Sequence, residues 1–186
     1  MKISNSVLLL FTIIFCSITF SSAISLKLKI ITSKYLDPTN LYNRPVSLKS
    51  FNYPNNFMRH RNYELWKEKG VWELFQKDAS FFVRSALNGK KGFISLESVN
   101  YPGHFIRHSN WLLSIAQGCD DLFYNDASFQ LILSKIGHPN YVSLESSNYP
   151  GHFIRHQGGR CKISKDDGSD LFKEDASWQL TRALYL

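Results

Sequence analysis

The sequence has little cysteine, no N-glycosylation signal and, beyond its first 23 residues, no long apolar run. Because no Asn-x-Ser/Thr triplet occurs, N-linked glycosylation is not expected. No His-x-x-His or Cys-x-x-Cys spacing occurs either, which argues against a zinc site, and we predict no metal and no cofactor. A membrane-spanning helix needs about 20 apolar residues, so none is expected after the leader.

The one long apolar run begins close to the first residue. Lys2 precedes it, residues 7–20 form it, and the small residues Ser21, Ser22 and Ala23 follow it. This order is typical of a secretory signal peptide, which we predict over residues 1–23, and it implies a secreted, extracellular protein. The alternative is a transmembrane anchor, but the run is shorter than the roughly 20 residues that an anchor needs.

Charge and cysteine usage restrict the possible partners. The formal net charge is +7, but the Lys and Arg residues are scattered rather than clustered, which argues against a nucleic-acid partner. We expect a monomer with no membrane contact once the leader is removed. Cys16 belongs to the predicted leader, which leaves Cys119 and Cys161 to pair or to stay free in an oxidising compartment, and the sequence leaves both outcomes open.

Two short phrases occur three times along the chain. They are Asn52-Tyr53-Pro54, Asn100-Tyr101-Pro102 and Asn148-Tyr149-Pro150, and then Asp78-Ala79-Ser80-Phe81, Asp126-Ala127-Ser128-Phe129 and Asp175-Ala176-Ser177-Trp178. Successive copies lie 48 or 49 residues apart. Such a period indicates a repeat architecture, in which the chemistry of one copy can be present three times.

The middle copy has the pattern of four short strands. The predicted strands are residues 93–98, 104–109, 111–116 and 128–133. The first of them alternates in polarity, and Pro102-Gly103 is a turn signal between the first two. Residues 118–125 are polar and predict a loop, and no segment shows helical periodicity.

Three such units predict an all-β protein with the β-trefoil fold, in three repeats of about 48 residues with four strands each. A small propeller is the main competitor, but three blades would fill its centre poorly. The expected organisation is residues 1–23 as signal peptide, 24–44 as an N-terminal segment or edge strand, and 45–186 as the trefoil, with repeats at about 45–91, 92–139 and 140–186.

Polar residues that recur in all three repeats are the candidate functional residues. They are the histidines His60, His108 and His156 and the aspartates Asp78, Asp126 and Asp175. Each aspartate precedes the predicted fourth strand, where it can cap a turn, and each histidine can bond a backbone carbonyl. Alternatively, an ionised Asp, a His and a nearby Tyr such as Tyr101 or Tyr149 suit the hydroxyls and C–H face of a sugar.

The arginine before each histidine adds a further expectation. Arg59, Arg107 and Arg155 can each pair with a carboxylate across a loop. By strand alternation, an arginine and the histidine that follows it should point to opposite sides of the strand. We therefore do not expect the two to share one pocket.

The compound motif resembles a known family. Ser-Leu-Glu-Ser-x-Asn-Tyr-Pro-Gly-His-Phe-Ile-Arg-His, followed by Leu-Phe-x-x-Asp-Ala-Ser-Phe/Trp, is similar to the arabinose-binding domain of α-L-arabinofuranosidase B over about residues 45–186. The resemblance implies a β-trefoil module that binds arabinofuranose side chains of arabinoxylan and arabinan. It implies sugar sites at His108 with Asp126, at His156 with Asp175 and, because Asn55-Asn56 replaces Gly-His in the first repeat, less directly at His60 with Asp78.

Three other functions compete with sugar binding. A glycosidase generally needs two carboxylates, for which Glu97 with Asp126 and Glu145 with Asp175 are formal candidates, but Lys49 stands at the Glu position of the first repeat. We expect these glutamates to pair with Arg107 or Arg155 instead. A metal site would need the His and Asp residues to converge near the threefold axis. A trefoil that binds other proteins is a further alternative, over which the polar triplets favour glycan binding.

Overall fold

Twelve strands lie between residues 36 and 185, which are the residues that the computed structural model describes. They pair with one another in a single antiparallel network, and this confirms the predicted all-β class. The strands are β1 (Pro45–Ser50), β2 (Phe57–Arg61), β3 (Glu64–Glu68), β4 (Phe81–Ser85), β5 (Phe93–Ser98), β6 (Phe105–Ser109), β7 (Leu112–Ala116), β8 (Phe129–Leu133), β9 (Val142–Ser146), β10 (His152–Gln157), β11 (Arg160–Lys165) and β12 (Trp178–Arg182).

The predicted signal peptide lies outside the described residues. Of the predicted segment 24–44, only residues 36–44 are described, and they contain a short 3-10 helix, Thr39–Leu41.

The strand pairing repeats around the molecule. The pairs β4–β5, β8–β9 and β12–β1 join strands from successive copies of the sequence repeat, and β2–β3, β6–β7 and β10–β11 are hairpins. The second strands of the hairpins also meet one another, through the pairs Glu64↔Ser114, Leu112↔Lys162 and Arg160↔Trp66. Each hairpin therefore contacts the hairpin of the next repeat.

The hairpin loops have only two residues, and in each loop both take positive φ. The φ values are 51° and 66° at Asn62 and Tyr63, 48° and 70° at Asn110 and Trp111, and 58° and 88° at Gly158 and Gly159. Two-residue loops with this backbone twist match the twist of the flanking strands, and Asn and Gly adopt it most readily. The second residue of each loop, which is Tyr63, Trp111 or Gly159, therefore lies at the outer tip of its hairpin.

Strand residues that point inward form one main apolar core. The buried members are Val46, Leu48, Met58, Leu65, Phe81, Val83, Ile94, Leu96, Ile106, Leu113, Ile115, Phe129, Leu131, Leu144, Ile154, Cys161, Ile163 and Trp178. Trp178 is fully buried and satisfies its indole N–H by donating to the carbonyl of Ile154 at 3.1 Å. Apolar residues from all three repeats thus pack in one common core, and this packing holds in place the strands that carry the polar residues.

Three six-residue helices correct the prediction of a loop before the last strand of each repeat. They are α1 (Glu73–Asp78), α2 (Asp121–Asp126) and α3 (Asp170–Asp175). The side chain of Asp120 accepts from the Phe123 N–H at 2.7 Å and caps α2, as Ser169 caps α3. Each helix has only six residues and buries two of them, one phenylalanine and the final aspartate. So short a segment does not contain enough apolar residues to show helical periodicity in the sequence.

Neither described cysteine is paired. Cys119 is exposed and Cys161 is buried, and burial raises the pKa of the Cys161 thiol. Of the possibilities left open by the sequence, the structure therefore shows two free thiols. None of the helices between residues 36 and 185 has the length and apolar character that a membrane span requires.

Candidate functional site

The last residue of each helix is a buried aspartate that joins two repeats. Asp78 is 4% exposed, and its Oδ2 accepts from Nη2 of Arg59 at 2.6 Å. Its Oδ1 accepts from Nδ2 of Asn100 at 2.8 Å. Arg59 lies on the strand β2 of the same repeat, whereas Asn100 belongs to the turn of the next repeat. The aspartate is the last residue of α1 and so precedes β4, as the sequence predicted.

The same network occurs at the other two aspartates. Asp126 accepts from Arg107 at 2.5 Å and from Asn148 at 2.8 Å. Asp175 accepts from Arg155 at 2.7 Å and from Asn52 at 2.8 Å. Since a carboxylate offers about four lone-pair positions, each aspartate keeps capacity for further donors after these two bonds.

We call the three clusters the first site, the second site and the third site. The first site comprises Arg59, His60, Asp78, Asn100 and Tyr101; the second comprises Arg107, His108, Asp126, Asn148 and Tyr149; the third comprises Arg155, His156, Asp175, Asn52 and Tyr53.

The expectation that arginine and histidine do not share a pocket is wrong. Nε2 of His60 lies 3.5 Å from Oδ1 of Asp78, while Arg59 bonds the other oxygen of the same carboxylate. The arginine reaches it because its side chain turns back along the strand, with Nε donating to the carbonyl of His60 at 3.1 Å. Strand alternation fixes where Cβ points, but the long arginine side chain carries the guanidinium back across the strand edge.

The histidines bond side chains of the next repeat rather than backbone carbonyls. Nε2 of His60 lies 2.9 Å from Oδ1 of Asn100, and Nε2 of His108 lies 3.0 Å from Oδ1 of Asn148. An amide oxygen only accepts, so Nε2 carries the proton and Nδ1 is the acceptor. Every buried side-chain nitrogen between residues 36 and 185 has a partner, and Nδ1 of His60 and His108 has none, so these two atoms reach solvent.

Burial holds all three histidines in the neutral form. Desolvation lowers the pKa of His60 and His108 from the ordinary 6.5, and the nearby aspartates oppose it only in part. Burial lowers the pKa of His156 to about 4; the charge of Asp175 opposes this shift, and the charges of Lys67 and Arg155 add to it. Each site therefore combines an arginine–aspartate ion pair with a neutral imidazole.

A tyrosine from the next repeat covers each histidine. Tyr101 meets His60 edge-on with ring centroids 5.2 Å apart, and Tyr149 meets His108 at 5.3 Å. The structure thus brings the predicted Tyr101 and Tyr149 into the first and second sites. Tyr53 takes the same place against His156 at 5.4 Å, and sequence reasoning missed it. The Asn-Tyr-Pro phrase occurs in all three repeats and could have identified Tyr53 as the third member of the set.

The hairpin tips supply an aromatic wall to two of the sites, which the sequence did not predict. Trp111 lies 5.1 Å from Tyr149 and is stacked on His152 at 5.2 Å, with 16° between the planes. Tyr63 lies 5.6 Å from Tyr101 and 5.8 Å from His104. Half-exposed rings at these positions leave apolar surface in contact with solvent.

Both of these sites open into cavities. The cavity of the second site has a volume of about 270 Å³, and that of the first site about 220 Å³. The second is lined by Arg107, His108, Ser109, Asn110, Trp111, Leu122, Asp126 and Tyr149, and the first by Arg59, His60, Arg61, Asn62, Tyr63, Leu74, Asp78 and Tyr101. A buried charge and imidazole below an apolar rim can bond hydroxyls and contact C–H groups of one small ligand.

The glutamates considered for catalysis have other roles. Glu97 pairs with Nε of Arg84 at 2.7 Å and accepts from the Gly103 N–H at 2.7 Å. Glu145 accepts from the Gly151 N–H at 2.8 Å. The expected pairing of Glu97 with Arg107 is therefore wrong, because β5 pairs with β4 and this places Arg84 beside the glutamate. Among the described residues, no three His, Cys, Asp or Glu side chains are grouped as metal ligands.

The family model of the "Alpha-L-arabinofuranosidase B (ABFB) domain" matches residues 39–131 and 133–185. A search of curated protein sequences finds no match.

Solved structures share the fold at low sequence identity. A GH54 α-L-arabinofuranosidase E221Q mutant soaked with 4-nitrophenyl α-L-arabinofuranoside superposes with a TM-score of 0.72 at 23% identity over 81% of this chain and 33% of that one. An arabinofuranosidase complexed with arabinofuranosyl-α-1,2-xylobiose gives 0.73 at 23% over 82% and 33%. The protein called BEL beta-trefoil gives 0.59 at 14% over 78% and 100%.

The chain thus spans about a third of the length of the arabinofuranosidases that it matches. The family match covers most of the sequence and includes the aspartates, histidines and tyrosines of all three sites. The chain belongs to the α-L-arabinofuranosidase B domain family.

Proposed function

We propose that this protein is a secreted, non-catalytic module that binds L-arabinofuranose side chains of arabinoxylan and arabinan. The observation that carries the proposal is the second site, where Asp126 and His108 form the floor of a cavity with Trp111 and Tyr149 at its rim. The family match and the structural neighbour described as complexed with arabinofuranosyl-xylobiose support the same ligand class.

The cavity suits a single neutral sugar. Asp126 retains acceptor capacity for hydroxyl groups, and Nδ1 of His108 is a second acceptor that reaches solvent. The ring of Trp111 and the side chain of Leu122 offer apolar surface to the C–H face. Arg107 is the most exposed of the three site arginines, with 21% of its side chain accessible, and can donate to a ring or hydroxyl oxygen.

The proposed fold is a β-trefoil of three repeats with four strands each. It is supported by the threefold recurrence of hairpins and of inter-repeat strand pairs. The protein acts as a monomer in this proposal. Weak single sites gain affinity for a polysaccharide because a second arabinose on the same polymer is held at high effective concentration.

Affinity electrophoresis in gels containing arabinoxylan, or xylan stripped of arabinose, tests the proposal. The wild type should be retarded by arabinoxylan alone. Trp111→Ala should be retarded less, whereas Trp72→Ala, which removes a similarly exposed tryptophan outside the three sites, should behave as the wild type does. The proposal would be contradicted if the wild type moved equally fast in both gels, or if Trp111→Ala were retarded by arabinoxylan as strongly as the wild type.

The non-catalytic part is tested separately. Purified protein is expected to release no nitrophenol from 4-nitrophenyl α-L-arabinofuranoside. Turnover that persists through purification and disappears in the Asp126→Asn variant would instead favour arabinofuranosidase activity. Retardation by arabinoxylan without turnover is the combined result that this function requires.

A further inference from the structure

The same backbone hydrogen bond is found at the hairpin tip of all three sites, but the residues that form it differ at the third site. The carbonyl at the hairpin tip accepts a backbone N–H from the neighbouring hairpin in each repeat. Tyr63 accepts from Ile115 at 2.8 Å and Trp111 accepts from Ile163 at 2.8 Å, but the third tip, Gly159, accepts from Lys67 at 2.7 Å. An aromatic tip with a buried isoleucine beside it is thus replaced, at the third site, by glycine and lysine.

The lysine side chain lies inside the third site. Nζ of Lys67 is 3.0 Å from the ring centroid of Tyr53, which is cation–π contact. Burial lowers the pKa of Lys67 and the charge of Asp175 raises it, while Lys67 in turn lowers the pKa of His156. The ammonium group therefore lies close enough to act on both polar members of the site.

At the other two sites, the corresponding tyrosine ring has a different neighbour. Tyr101 has the ring of Tyr63 beside it and Tyr149 has the ring of Trp111. Gly159 has no side chain to form such a wall. A sugar that entered the third site would have to displace the lysine ammonium from Tyr53 and would find no ring in place of Trp111.

We propose that Lys67 occupies the third site as an internal ligand, so that the chain binds arabinofuranose at the first and second sites only. This inference rests on the proposed function and adds the number of sites and the residue that sets it. Displacement of the ammonium forfeits its cation–π contact with Tyr53, and the missing wall removes apolar contact as well. Sugar affinity at the third site is accordingly expected to fall at least tenfold below that at the second.

The backbone of the third hairpin can accept the loop of the second. Gly158 and Gly159 have φ of 58° and 88°, near the 48° and 70° of Asn110 and Trp111. A Cβ on Gly158 would meet nothing within 4 Å, and one on Gly159 would first meet Cε3 of Trp66 at 3.9 Å. Because the second loop already holds Asn and Trp at similar positive φ values, we expect the triple variant Lys67→Ile/Gly158→Asn/Gly159→Trp to fold and to recreate the second-site wall.

NMR titration with methyl α-L-arabinofuranoside tests the inference on the intact protein. The imidazole signals of His60, His108 and His156 report the three sites separately. In the wild type, the first two signals should shift with saturable midpoints and that of His156 should stay within a tenth of their shift. In the triple variant, His156 should shift as well. Lys69→Ile, which removes a neighbouring exposed lysine, is the matched control and should titrate as the wild type does.

The outcomes separate the two proposals. If the wild-type His156 signal titrates with the same midpoint as the other two, Lys67 does not close the site, although sugar binding stands. If none of the three signals shifts at any sugar concentration, the proposed function fails and this inference fails with it. The wild-type measurement decides the question even if the triple variant does not fold.

Discussion

The second and third sites contain nearly the same buried network under very different rims. In both, a helix-ending aspartate bonds an arginine of its own repeat and an asparagine of the next. Above it, the second site has Trp111 at the hairpin tip, whereas the third has Gly159 and a lysine from the adjacent hairpin. The network joins neighbouring repeats, so we expect the fold to need it at all three positions, and we expect the rim to decide what can bind.

The largest expected effect comes from breaking the shared network. Asp175→Ala leaves the guanidinium of Arg155 buried without its partner, and loss of one member of a buried ion pair costs about 3–5 kcal/mol. Asp126→Ala should cost less, because Arg107 is more exposed than Arg155 and water can replace the lost carboxylate. Urea unfolding of both variants measures the difference. Equal stability of either variant and the wild type would contradict a structural role for the network.

In contrast, a change at the rim should weaken sugar binding and have little effect on stability. Trp111→Ala removes a half-exposed ring and should change the unfolding free energy little. It removes the wall over Tyr149, so affinity for arabinoxylan oligosaccharides should fall about tenfold, which corresponds to about 1.4 kcal/mol. Calorimetric titration gives the affinity. Gly159→Ala is the control at the equivalent tip, and a comparable loss of affinity there would remove the distinction between the two sites.

The pH dependence of stability should differ between the sites as well. His156 has a pKa of about 4 in the fold against 6.5 for an ordinary histidine, so the unfolded chain takes up the proton first as the pH falls. The stability contributed by the neutral imidazole is complete above about pH 6.5 and is lost as the pH falls toward 4. Thermal unfolding at a series of pH values should show this decline.

Lys67 provides the control for that pH profile. Its positive charge lowers the pKa of His156, so Lys67→Ile should raise that pKa and flatten the decline in stability. His60 and His108 lie at sites where no lysine contributes to the lowered pKa, and their titration should not change. An unchanged NMR titration of His156 in the variant would show that the ammonium does not lie in the third site.

The sequence predicted the repeated elements well and the contacts between repeats poorly. Strand β5 was predicted with its observed bounds because Phe93 to Ser98 alternate in polarity, a property of the segment alone. Tyr53 and Lys67 were missed because each acts on residues about 100 positions away, and no local pattern records that distance. Arg59 was assigned to the wrong side because alternation describes Cβ directions rather than the reach of a guanidinium.

The smallest expected effect concerns two matched leucines at the starts of the short helices. Leu122 and Leu171 are 63% and 62% exposed, and only Leu122 is among the residues that line the second-site cavity. Leu122→Ala should weaken sugar binding a few-fold through lost apolar contact, and Leu171→Ala should leave it unchanged, while neither alters stability by more than about 0.5 kcal/mol. Calorimetric titration of the two variants side by side makes the comparison. Equal losses would mean that a sugar contacts the third site too, which the lysine in that site should prevent.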